Sequence, residues 1–253
     1  MSETLFKKYN VPVPRYTSYP TANSFGPFDE TDYLKAVESS NDATADNISF
    51  YIHVPFCRHL CHYCGCNSVA MAKPDRITEY FETLHKEIDL LLPHLRKDRR
   101  ISQIHYGGGS PSSMPLHFIR SINEHLLSAF ETIDRPEIAI ECHPGYLKEE
   151  DWHYLLDSGF NRFSLGIQDF NDEVLRCVNR QPALLPVETI MKILREGGAK
   201  VNFDFIYGLP KQSVSAFVST IKKAISLRPD RLVTFSYAHL PSLFKRQMIL
   251  EKA

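Results

Sequence analysis

Four of the six cysteines fall within ten residues, Cys57-Arg58-His59-Leu60-Cys61-His62-Tyr63-Cys64-Gly65-Cys66. The spacing Cys-x3-Cys-x2-Cys presents three thiolates from one short loop. A [4Fe-4S] cube has four iron corners and ordinarily takes four thiolates. Three ligands leave one iron open, which suits chemistry on a bound substrate better than simple electron storage. A structural zinc knot is the competing reading, because closely spaced cysteines also suit tetrahedral zinc. Cys66 fits either as a fourth ligand or as a free thiol beside the site. A disulfide scaffold does not suit a chain of 253 residues.

Other residues add polar chemistry. Gly107-Gly108-Gly109 follows a run of β-formers and exposes bare backbone that a ligand can approach closely. The plain alternative is a tight turn. No Lys-Ser or Lys-Thr follows, so it is not a P-loop. Glu141 can accept from an ammonium group, and Asp204 from a ribose hydroxyl, as such carboxylates do in nucleotide folds. Gln168 offers an amide and Arg180 a fixed cation for a carboxylate. Taken singly, each reads as a surface or loop residue; their weight lies in convergence. Cys142 and Cys177 read as inert buried thiols, His53 as a hydrogen-bonded core histidine, and Lys97-Asp98-Arg99-Arg100 as a solvated loop.

The elements that must position these residues alternate. Residues 48–54, rich in β-formers and stopped by Pro55, predict a strand running straight into the cysteine loop. Further strands are expected at 101–106, 137–141, 162–168, 201–206 and 231–237. Apolar periodicity predicts helices at 75–95, 116–130, 148–156, 172–178, 186–196 and 214–226. Before them, 1–47 reads as an irregular arm lying over the mouth of the domain, with one short helix at 32–39, and 48–253 as the domain proper. Strict alternation implies a parallel sheet with right-handed crossovers. The cysteine loop, the glycine run, Glu141, Gln168, Asp204 and Ala238 all sit at or just past C-terminal strand ends. That rim is where (β/α) barrels build their sites. The expected fold is therefore α/β, a partial (β/α)6 TIM-like barrel. An open doubly wound sheet is the alternative, weakened by the lack of G-x-G-x-x-G in the first crossover.

Composition excludes several classes. The chain has 29 basic and 30 acidic residues, a formal net charge of −1, and 43% hydrophobic residues. That balance gives no argument for nucleic acid or an anionic membrane as partner. No window has the apolar length of a membrane span, and Met1 to Lys8 lacks an apolar signal core. A cytoplasmic protein is expected, where clustered thiols mean metal or redox work.

Cys57-x3-Cys61-x2-Cys64 followed by Gly107-Gly108-Gly109-Ser110-Pro111 resembles the radical S-adenosylmethionine (SAM) superfamily. The segments 14–21, 166–170, 178–180 and 206–211, together with Cys66, resemble its oxygen-independent coproporphyrinogen III oxidases. The resemblance runs from about residue 9 to about residue 245. It implies a radical SAM type barrel with a [4Fe-4S] cluster on Cys57, Cys61 and Cys64 and SAM on the fourth iron. It further implies cleavage of SAM to a 5′-deoxyadenosyl radical, and conversion of two propionates of coproporphyrinogen III to vinyl groups, giving protoporphyrinogen IX in haem biosynthesis. Carried over by motif, Tyr51, Gly108 and Glu141 would contact a first SAM. Gly109, Ser110, Gln168, Arg180, Asp204 and Ala238 would contact a second. Tyr63 would lie near the adenine, and Cys66 would not be a ligand. Arg15 is expected to pair with a substrate propionate. The implied partners are coproporphyrinogen III and a low-potential electron donor, and a monomer is expected. The family continues well past residue 253, so the expectation is a chain without the C-terminal domain and with poor or no turnover. A haem-chaperone relative and a non-catalytic or zinc-binding fragment are the competing readings. Cys66 and the 14–21 arm favour the oxidase over the chaperone.

Overall fold

The computed structural model describes residues 3–9, 11, 21, 24–42 and 46–252. The stretch from Pro14 to Pro20, with Arg15, was expected over the barrel mouth and lies outside the described residues. The chain divides into two units, Met1–Asp42 and Ala43–Ala253. The first carries helices α1 (Glu3–Tyr9) and α2 (Glu30–Ser39). Only the second of these was expected. It starts two residues earlier than its apolar pattern suggests because Asp29 caps it, its carboxylate accepting from the Asp32 N–H at 2.9 Å.

The second unit runs β1 (Asn47–Val54), β2 (Phe56–Cys57), β3 (Val69–Ala70), α3 (Pro74–Leu91), β4 (Arg100–Gly108), α4 (Leu116–Ala129) and β5 (Thr132–Cys142). It continues with α5 (Glu149–Asp157), β6 (Arg162–Gln168), α6 (Asp172–Cys177), α7 (Val187–Glu196), β7 (Lys200–Tyr207), α8 (Val214–Ser226) and β8 (Arg231–Ser236). The six long strands pair in parallel in the order β1-β4-β5-β6-β7-β8. A doubly wound sheet must reverse its order at a switch point; this one never does. Right-handed crossovers that keep one direction put every helix on one face and turn the other face inward. The partial barrel is thus what the strand order dictates. Among the described residues no helix is long and apolar enough to cross a membrane.

Side chains alternate across each strand. One set, including Ile52 and Val54 of β1, Ile104 and Tyr106 of β4, Ile138 and Ile140 of β5, Phe163 and Leu165 of β6, and Phe203 and Phe205 of β7, is buried with the helices. Ile77 and Phe81 of α3, Ile119 and Leu126 of α4, Trp152 of α5 and Ile190 of α7 belong to the same core. The alternate set is mostly polar and in large part only partly buried, and carries the site described below.

Four expectations need correction. β5 begins at Thr132, five residues before the expected start, and passes through Pro136. The register jumps from Ile101↔Thr132 to Gln103↔Glu137, so the proline, which has no N–H to donate, lies within an irregularity of the ladder. Helix α3 stops at Leu91, with a 3₁₀ turn at Leu92–His94, because Pro93 cannot continue α-helical hydrogen bonding. Arg99 is buried rather than solvated, its Nη2 donating to the Asn47 carbonyl at 3.0 Å. Cys142 is buried as expected, and burial pushes its thiol up, but Cys177 is only half-buried.

The Tyr106 hydroxyl donates to Asn123 Oδ1 at 2.7 Å and ties β4 to α4 deep in the core. Tyr106→Phe leaves that buried oxygen without its donor and is expected to cost about 1–3 kcal/mol. Urea unfolding of the variant beside the parent chain measures it; an unchanged midpoint refutes it.

Candidate functional site at the C-terminal rim of the sheet

The cysteine loop leaves β1 and has almost no regular structure, so its backbone groups find partners elsewhere. Its ends are clamped by β2 and β3: the Val69 N–H donates to the Pro55 carbonyl and the Met71 N–H to the Cys57 carbonyl, both at 2.9 Å. The glycine run that ends β4 lies alongside, with the Gly109 N–H on the Val54 carbonyl at 2.8 Å and the Ser110 N–H on the Phe56 carbonyl at 3.0 Å. A Cβ on Gly109 would stand 2.4 Å from the Pro55 carbonyl oxygen and 3.0 Å from Cys57 Sγ, so this close approach needs glycine.

The middle of the loop is gripped by three successive residues after α6. The Val178 carbonyl accepts from the His62 N–H at 3.0 Å. Asn179, held at φ +58°, donates through Nδ2 to the Leu60 carbonyl at 3.0 Å. The left-handed backbone there is one that asparagine tolerates better than most residues. Arg180, buried, points Nη1 at Cys61 Sγ (3.6 Å) and the Tyr63 hydroxyl (3.4 Å), and its Nη2 donates to the Gly166 carbonyl.

All four loop cysteines are free thiols; Cys61 is buried, Cys57 and Cys64 half-buried and Cys66 exposed. Burial, with Cys64 and Cys61 nearby, pushes the Cys57 thiol up to about 11. Cys64 is lowered to about 6, chiefly because the Cys66 thiol hydrogen-bonds to it; the Cys66 backbone N–H (3.4 Å) and the Arg246 charge act in the same direction. The same contact pushes Cys66 up. Burial raises Tyr63. Among the described residues no group of three His, Cys, Asp or Glu could hold a single metal ion. A cube gives each thiolate its own iron and does not call for such a point.

Inside the arc, the polar set of each strand meets its neighbour's. A Cβ on Gly107 would meet Glu141 Oε1 at 2.8 Å and the Tyr51 ring at 3.0 Å, so Tyr51, the glycine run and Glu141 converge. Tyr51 stacks on His105 with ring centroids 5.8 Å apart, and His105 Nε2 donates to Glu141 Oε1 at 3.2 Å. His53 faces this interior rather than the core. Its Nε2 donates to the Asn67 carbonyl at 2.9 Å, which leaves Nδ1 to accept from the Tyr51 hydroxyl at 3.2 Å. Gly108, at φ +118°, passes so near that a Cβ would lie 2.8 Å from the His53 ring.

Across the arc, Asp204 accepts from Ser164 Oγ and from Asn202 Nδ2, each at 2.8 Å. Burial still holds its carboxyl above the usual range. Gln168 ends β6 at φ +66°, where the register with β7 slips, and its Oε1 is buried without a hydrogen-bond partner among the described residues. Ser110 is buried with its hydroxyl 2.7 Å from Ser113 Oγ in its own turn, a contact that uses only part of its hydrogen-bonding capacity. Ala238 is exposed past β8.

The arrangement meets the chemical demands of the expected cofactors. Three free thiols share one loop, with a buried cation against Cys61, bare backbone adjoins a carboxylate, and one buried amide oxygen is unpartnered among the described residues. His105, Ser164 and Asn202 were missed in the sequence. Each stands on the inner face of its strand, two or four residues from a residue that was singled out, and alternation alone could have found them.

The sequence profile of the Radical SAM superfamily matches residues 51–224. The oxygen-independent coproporphyrinogen III oxidase of Salmonella typhimurium (strain LT2) is 39% identical over 251 residues, covering 98% of this chain and 54% of that protein. Its counterpart in Pseudomonas aeruginosa is 39% identical over 253 residues, covering 96% of this chain and 54% of that protein. Among solved structures, coproporphyrinogen III oxidase (HemN) from Escherichia coli aligns with a TM-score of 0.86 and 37% identity, over 98% of this chain and 55% of that one. The chain thus spans about half the length of the relatives it matches. The profile match covers most of the second unit, from the strand that feeds the cysteine loop to the helix before the last strand, and on that ground the chain belongs to the radical SAM superfamily.

Proposed function

We propose that the chain holds a [4Fe-4S] cluster on Cys57, Cys61 and Cys64, binds two molecules of SAM, and serves the oxidative decarboxylation of two propionates of coproporphyrinogen III to give protoporphyrinogen IX. The observation that carries this reading is the pinned cysteine loop. It sets three free thiols beside a bare-backbone glycine strand, in a chain similar over nearly all its length to oxidases of that name. When bound, the cluster and SAM supply one-electron cleavage of SAM and hydrogen abstraction from the substrate.

The protein's part is binding and orientation. The glycine run exposes N–H and C=O groups to the first SAM, and Glu141, fixed by His105, accepts from its ammonium group. Tyr51, braced by His53 and His105, walls the same side. Tyr63 lies against Arg180 beside the last two ligands. Asp204, with Ser164 and Asn202 already donating to it, keeps acceptor capacity for a hydroxyl of the second SAM. The unpartnered Gln168 oxygen accepts from the same ligand. Gly109 contributes its carbonyl and Ala238 its backbone there, and Ser110 its hydroxyl, which keeps hydrogen-bonding capacity beside Ser113. Arg180 contributes as a fixed cation between Cys61 and Gly166. An electron donor of low potential completes the set of partners.

Anaerobic reconstitution with iron and sulfide, then SAM and a strong reductant, is expected to release 5′-deoxyadenosine. Adding coproporphyrinogen III and following protoporphyrinogen IX tests the substrate. Zinc uptake with no iron loading overturns the reading. Cys61→Ser is expected to lose the cluster's iron and sulfide, whereas Cys66→Ser keeps them; equal loss in both would make Cys66 a ligand. Gly109→Ala is expected to cut iron loading several-fold. Gly26→Ala, where a Cβ meets nothing within 4 Å, serves as the control and should load normally.

A further inference from the structure

The last described segment turns back from β8 to the cysteine loop. The Leu243 and Phe244 N–H groups both donate to the Leu240 carbonyl (3.0 and 2.9 Å), and a 3₁₀ stretch follows over Lys245–Lys252. Leu250 anchors it, buried with Val174, Val178 and Leu209. Gln247 is 1% exposed and uses its whole amide: Nε2 donates to the Tyr63 carbonyl at 3.0 Å and the Ala238 carbonyl at 3.2 Å, and Oε1 accepts from the Leu240 N–H at 2.6 Å. Three residues earlier, the Phe244 ring presses on Gly65, where a Cβ would stand 2.9 Å from it.

Tyr63 and Gly65 are the chain neighbours of Cys64 on either side. Contacts from Gln247 and Phe244 therefore bracket that cysteine, and Arg246 lies between them. Its charge acts on the Cys64 thiol. Its Nη1 is buried and has no hydrogen-bond partner among the described residues. A buried guanidinium N–H left unsatisfied costs about 1–3 kcal/mol or more, so such an atom marks a missing acceptor. Arg180, by contrast, has its N–H groups on Cys61 Sγ, the Tyr63 hydroxyl and the Gly166 carbonyl.

Three thiolates on a cube leave a negative centre whose charge grows on reduction. Cations and hydrogen bonds to its sulfurs favour the reduced form. Building on the cluster reading above, we propose that Arg246 is the cation of the Cys64 corner, raising the cluster's reduction potential through its unpartnered N–H and its charge. Gln247 is the positioning residue that fixes the segment carrying it.

The test is a redox titration of the full chain, reconstituted anaerobically without SAM and followed by the electron paramagnetic resonance signal of the reduced cluster, with iron content and circular dichroism measured on each sample. Arg246→Gln is expected to fold and load iron as the parent does and to shift the midpoint to a more negative potential. Arg246→Lys, which keeps the charge, should recover most of that shift, and Gln247→Ala should move the midpoint in the same direction as Arg246→Gln. An unchanged midpoint in a loaded Arg246→Gln overturns the proposal while leaving the cluster reading intact. Loss of loading in both Arg246 variants also overturns it, because packing rather than charge would then be at stake. Loss in Arg246→Gln alone, with Arg246→Lys loaded, overturns it as well, because the charge would then be needed to hold the cluster rather than to set its potential. A parent chain that takes up no iron overturns both, and the iron assay separates that failure from the others.

Discussion

The site depends on how a loop without regular secondary structure is held still. Residues 58–68 carry three of the four clustered cysteines and little helix or strand. Their backbone groups are paired instead with residues far along the chain: Val178 and Asn179 on His62 and Leu60, and Gln247 on Tyr63. Fixing a loop of this kind costs about 1–2 kcal/mol of backbone entropy per residue, so it stays ordered only where such contacts are numerous. The cysteine loop has them at both ends and in the middle. The thiols are thus brought near one another by the protein's own hydrogen bonds.

The sheet supplies the frame for that grip. Because its order runs one way, the strand ends form a continuous rim, and the loops after β1, β4, β5, β6 and β7 are neighbours although they are distant in sequence. The same geometry divides the side chains. Branched and aromatic residues pack under the helices, while Tyr51, His105, Glu141, Ser164, Asn202 and Asp204 line the concave face. A polar lining of this kind would be a poor core, since buried polar groups must all find partners. It suits the wall of a binding site, and the Gln168 oxygen is buried there without a hydrogen-bond partner among the described residues.

Much of this was legible in the sequence, for identifiable reasons. Cysteine spacing and consecutive glycines are local patterns, and strand–helix alternation leaves a periodic mark. Six strands and the end of the sheet that bears the site could therefore be read directly. The position of Arg180 after α6 was legible as a motif, but its contact with Cys61 was not, because a tertiary hydrogen bond has no period. The extension of β5 through Pro136 was hidden by a residue that normally argues against a strand. Ser164 and Asn202 are ordinary polar residues until the register sets them opposite each other. Gln247 and Arg246 sit in a stretch of weak pattern, and only the fold shows that it returns to the cysteine loop.

The central claim is that the three gripped thiols hold a cluster with one iron open to SAM. Its most direct test is electron paramagnetic resonance of the reduced, anaerobically reconstituted chain, recorded before and after adding SAM. The account predicts a [4Fe-4S] signal whose line shape changes when SAM is added, because the sulfonium nucleotide then ligates the open iron. A signal that SAM leaves unaltered, or no cluster signal at all, would contradict it.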